Sequence, residues 1–136
     1  MSKKSTKIEK APVFDYKTIT SVEEACKKLN FDINSIPDLS ILPGDLGEKF
    51  RGGILCAIFI MAINNGWVPD YTNSNQAKYY PWVIASSPGS GFSFTNSDYC
   101  YDDTPADVGS RLCTDTSEKA LWALECCKGH YEKWLL

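Results

Sequence analysis

Gln76-Ala77-Lys78-Tyr79-Tyr80-Pro81-Trp82 lies at the centre of a stretch, Asn64 to Asp115, in which aromatic residues are broken at short intervals by proline and glycine. Gly66 to Asp70 and Ser87 to Phe94 are further clusters of the same kind. Dense aromatics punctuated by helix breakers suit a compact strand-and-loop platform better than a helix. Strands are predicted at Tyr79 to Ala85, around Phe92 and Phe94, and at Val108 to Cys113, and the short segment around Cys100 reads as a third short strand or an ordered loop. Pro81 cannot donate to a ladder, so the first of these belongs at an edge or carries a bulge.

Outward from the platform, the chain reads as helical on both sides. Ser21 followed by Glu24 forms a capping box, and Val22, Ala25, Cys26 and Leu29 recur at helical spacing up to a stop at Asn30. A second helix is predicted from Asp45 to about Ile63, ended by Asn65 and Gly66. A third is predicted from Ser117 to Trp134, opened by Asp115 and Glu118 and striped by Ala120, Leu121, Leu124, Cys127, Tyr131 and Trp134. Val13 to Thr20 alternates weakly and reads as a short edge strand. The expected fold class is α+β, a small antiparallel sheet packed by two main helices, with a short N-terminal helix. Residues 1–12 read as a flexible basic arm, and 13–136 as a single α+β domain.

A chain of 136 residues, with 43% hydrophobic and 23% charged residues, falls within the range of one globular domain. Its net charge of −3 disfavours nucleic acid as a partner. The run Ile54 to Ile63 is apolar on every side but is far shorter than the roughly 20 residues a membrane span needs. No membrane association is expected, and a helix this apolar calls for a place at the centre of the core or against a partner subunit. A homo-oligomer is therefore expected, most simply a two-fold dimer. No secretory signal follows the lysines of the N-terminus. The six cysteines lack C-x-x-C spacing and read as reduced, mostly buried thiols.

Chemistry is harder to read. His130, the only histidine, forms with Cys126 and Cys127 a C-C-x-x-H cluster that could approach zinc with Cys113; a helix with inward cysteines and an exposed histidine is the favoured alternative. Asp98, Asp102, Asp103 and Asp107 lack the spacing of a calcium loop. There is no nucleophile elbow, no phosphate-loop motif and no carboxylate pair suited to acid and base roles. An enzyme is not expected, and no catalytic residue, metal or cofactor is assigned. One constellation does suggest binding. Arg111 precedes the last helix, where a guanidinium, the hydroxyls of Ser110 and Thr114 and the positive end of a helix dipole suit a phosphate or carboxylate. The Ser87 to Phe94 loop, with Ser90 and Gly91, would flank it, and Tyr80, Trp82 or Phe92 would stack on a base. The competing role for Arg111 is an internal ion pair with one of the four aspartates.

In their order along the chain, Asn65-Gly66-Trp67, Pro69-Asp70, Asn75-Gln76, Lys78-Tyr79-Tyr80-Pro81-Trp82, Ser90-Gly91-Phe92 and Val108-Gly109-Ser110-Arg111-Leu112-Cys113 resemble a family of small, uncharacterised proteins from phages and prophages of gut Bacteroidales, including crAss-like phages. The resemblance spans roughly Val13 to Leu136. It implies a phage origin, and with it a place in the host cytoplasm or in the virion, but no mechanism. Two function classes follow. One is a non-enzymatic accessory protein that binds a small anionic ligand, such as a nucleotide signal, or a host factor, to blunt a host defence. The other is a virion-associated or assembly protein acting through subunit contacts.

Overall fold

The computed structural model describes residues 13–70, 72–73, 75–81, 84–85, 92–93, 99–101 and 113–135, with the backbone alone at 80–81, 84–85, 92–93 and 99–101. Four α-helices carry the architecture: α1 (Val22–Leu29), α2 (Leu46–Asn64), α3 (Ser117–Cys126) and α4 (Lys128–Leu135). The extended segments are β1 (Tyr79–Pro81), β2 (Ile84–Ala85), β3 (Phe92–Ser93) and β4 (Tyr99–Tyr101). They form two separate antiparallel ribbons, β1 with β4 and β2 with β3.

This overturns the expected α+β class. The domain is helical, and pairings two or three residues long do not make a sheet layer on which two helices could pack. The reason lies in the core. Its buried cluster comes from Ile19, α1, α2, the α3 segment through Cys127, and Tyr131 of α4, and includes no residue of the ribbons among the described side chains. Aromatic and proline content marked the stretch as a strand-and-loop platform, but among the described residues the buried apolar area is concentrated in the helices.

Local chemistry explains the helix ends. Ser21 Oγ accepts the Glu24 N–H at 3.2 Å, and Asn30 closes α1 in the left-handed conformation at φ 52°. Asn65 and Gly66, at φ 49° and 91°, end α2 in the same way. Val13 to Thr20 does not form the expected edge strand. Asp15 accepts the Lys17 N–H at 3.0 Å, and its carbonyl accepts the Thr18 hydroxyl, which winds Tyr16–Thr18 into a 3₁₀ turn. The Trp122 indole then donates to the Ile19 carbonyl at 2.8 Å and fixes this segment to α3.

The single helix expected from Ser117 to Trp134 is broken at Cys127, which leaves the helical region at φ −113°, ψ 21°. The break redirects α4 across α2. Two glycines of α2 permit the approach: a Cβ on Gly52 would lie 2.7 Å from the His130 carbonyl oxygen, and one on Gly53 would lie 2.9 Å from the Trp134 ring. At the far end of α2, Asn64 Nδ2 donates to the Cys113 carbonyl at 2.9 Å. That bond ties the helix to Thr114, whose backbone exchanges hydrogen bonds of 2.7 and 3.0 Å with Tyr79.

Candidate functional site

On α2, positions 48, 51, 52 and 55 follow the spacing that puts one helix face in register turn after turn. Glu48, Arg51, Gly52 and Leu55 accordingly share one wall of a cavity of about 330 Å³. Val22 and Glu23 from the start of α1 face them, with Ile33 from the 3₁₀ turn Ile33–Ser35. His130 and Lys133, one turn apart on α4, close the third side. The Gly52 contact makes this possible, because a side chain there would hold α4 away and open the cleft. Val22, Ile33 and Leu55 supply apolar surface and the charged groups the polar surface, a composition suited to a small ligand.

A second cavity of about 430 Å³ lies next to the first, bounded by the loop from Ile36 to Ser40 and by Gly47. Ile33, Glu48 and Arg51 line both. Arg51 is exposed, and among the described residues it makes no hydrogen bond or ion pair. A guanidinium without a partner at the junction of two cavities retains its full donor fork.

The imidazole beside it is perturbed. Burial pushes the His130 pKa below its ordinary 6.5; Lys133 adds to that, Glu23 opposes it, and Arg51 lowers it further. Lys133 and Arg51 thus act on the ring against Glu23, and the cavity wall as a whole sets these two cations against two carboxylates, Glu23 and Glu48. An anion entering here would meet Arg51, Lys133 and a histidine able to take up a proton as it binds.

Of the eight residues expected from sequence to bind a ligand, Thr114 alone has a described side chain. It is fully buried, and its hydroxyl donates to the Thr116 carbonyl at 2.7 Å. Tyr80 of β1 and Phe92 of β3 lie in different ribbons, paired with Cys100 and Ala85. Trp82, Ser90, Gly91, Ser110 and Arg111 lie outside the described residues. The start of α3, where the anion was expected, is engaged by its own chain. Thr116 Oγ1 accepts the Lys119 N–H at 3.2 Å, and Asp115 pairs with Lys119 at 2.9 Å. That carboxylate already occupies the positive end of the helix dipole.

The C-C-x-x-H residues weighed as a zinc site, with a metal-free helix favoured, are set apart from one another. Cys127 is buried in the core while His130 lines the cavity, and among the described residues no group of three or more histidine, cysteine, aspartate or glutamate side chains could hold a metal. Sequence reasoning did not find Arg51 and Lys133. The available signal was that one of only two arginines stands three residues after Glu48 on a helix otherwise free of charge from Gly52 onward. No protein-family model matches the chain, no curated protein is similar to it in sequence, and no solved structure matches its fold.

Proposed function

We propose that this is a phage-encoded, non-enzymatic accessory protein that binds a small anionic ligand, such as a nucleotide signal, or a host factor, and so counters a host defence. The observation that supports the reading is Arg51, unpaired among the described residues, at the junction of two cavities with Lys133 and His130 beside it. The larger cavity, at about 430 Å³, falls in the range of roughly 300–1,000 Å³ common for small-molecule sites. Phage origin rests on the resemblance of the platform motifs.

The chain has only two arginines, so the anion site can be assigned by substitution. Melting curves of wild type, Arg51→Ala and Arg111→Ala are recorded with inorganic phosphate and with a panel of linear and cyclic nucleotides. A charge-assisted contact contributes roughly 1.5–3 kcal/mol, so loss of the binding arginine weakens affinity about ten-fold or more. Arg51→Ala is expected to show that loss with its ligand-free melt unchanged, and Arg51→Lys to recover little of it. If only Arg111→Ala loses binding, the site belongs to the platform instead. A wild-type melt that no ligand moves removes the anion reading.

The assembly reading has an observation of its own in the outward face of α2. Protein acting in that way is found in purified virions, where an accessory protein need not be.

A further inference from the structure

The side of α2 turned away from the core is as apolar as the side turned toward it. Leu46, Phe50, Ile54, Ala57 and Met61 succeed one another at intervals of four, four, three and four, which aligns them along one face. Leu46, Phe50 and Met61 are 37%, 49% and 55% exposed, whereas Cys56, Phe59, Ile60 and Ile63 on the opposite face are buried. From Gly52 to Pro69 the chain carries no charged residue. Trp134 packs on Gly53 beside the stripe, and half-exposed Leu135 follows it in the chain. Surface helices ordinarily turn a polar face to water. No helix among the described residues is long and apolar enough to cross a membrane.

We propose that a second copy of this chain covers the stripe, with the two α2 helices crossing antiparallel about a two-fold axis near Gly53 and Ile54. The pattern of side chains is self-complementary in that arrangement. A two-fold axis midway between positions 53 and 54 sets Phe50 against Ala57 of the second copy and Leu46 against Met61. The largest group of the stripe then faces its smallest, as interdigitated packing requires. Charge favours antiparallel over parallel. Asp45 gives α2 no side-chain cap, and in the antiparallel pair the positive end of each helix dipole comes to lie near the negative end of the partner helix. A parallel pair would instead bring like ends together. Fifteen residues of helix span only about 22 Å, so this dimer belongs to the small, weak class of interfaces, with a Kd on the order of micromolar.

Sedimentation equilibrium of the full chain from about 1 to 500 µM, which brackets that affinity, tests the proposal. The expected result is a reversible monomer–dimer equilibrium above the monomer mass of 15.2 kDa. Phe50→Ala and Ala57→Phe should each weaken it by at least about ten-fold, as truncation or crowding of a central interface residue does. The double variant, which exchanges the pair across the axis, should restore it. Thermal melts of all variants show whether the fold survives, and Phe50→Glu, at a half-exposed position, provides a second disrupting variant. A species that remains monomeric throughout overturns the proposal, as does a dimer that Phe50→Glu leaves intact. Single-variant losses that the double variant does not repair overturn the antiparallel register.

Discussion

Cys56 and Cys127 are both almost fully buried, and Cys56 adds to the cost of ionising Cys127. Burial pushes the Cys56 thiol up to about 12; Cys127 is raised still further by burial, with Cys56 and Cys126 adding to it. Cys126, half-buried, is pushed up to about 11, chiefly by burial and then by Glu125. Since the thiolate is the reactive species, these are inert side chains in the folded state. Alkylation at pH 7.5 followed by mass mapping should find Cys56 and Cys127 unmodified until denaturant is added; labelling within minutes in native buffer would contradict their placement. All five described cysteines are free thiols. Burial of thiols at helical intervals was legible in the sequence. The role of Arg51 was not, because what distinguishes it is the approach of Lys133 and His130 from residues some eighty positions away, and periodicity carries no information about such pairings.

The α2–α4 packing depends on backbone contact at Gly52, where a Cβ would stand 2.7 Å from the His130 carbonyl oxygen. Neither backbone can yield without moving a helix. Gly52→Ala gains helix propensity worth about 1 kcal/mol, but the clash should outweigh it and leave a net loss of about 1–3 kcal/mol, typical of overpacking. Chemical denaturation measures this, and an alanine variant more stable than wild type would show that the helices are not in close contact. The existence and ends of α1 and α2 were legible at this scale, whereas α3 is capped by Thr116 and not by the Asp115 expected. Ser21 with Glu24, Asn30 and Asn65 are short-range signals that act through their own hydrogen bonds and left-handed conformations. The break at Cys127 was hidden, since the apolar stripe continues through it from Leu124 to Tyr131 and Trp134. A change of helix direction that keeps the same residues buried leaves the spacing of those residues intact.

For the molecule as a whole, the error in fold class came from weighting the platform by its aromatic content. Helix α2 assembles the core: α1 and α4 pack on it and α3 closes one side, while Asn64 and the Tyr79–Thr114 bridge join the platform to its end. That arrangement brings α1, α2 and α4 together around His130, and this is the central claim for function. The imidazole is held below 6.5, so the folded chain takes up its proton at lower pH than the unfolded chain does. Its contribution to stability is therefore complete above the unfolded value and is lost as pH falls through the lowered folded value. An anion bound between Arg51 and Lys133 reverses the local field and favours the imidazolium, which makes affinity rise on acidification. Because the chain has one histidine, its ring resonances in a proton NMR titration report this site alone. Titration with and without excess sulfate, whose charge is constant between pH 5 and 8, is the most direct measurement. The His130 pKa is expected below 6.5 in the free protein, moved upward by sulfate in wild type and not in Arg51→Ala. A pKa at or above 6.5 that sulfate leaves in place would contradict this expectation.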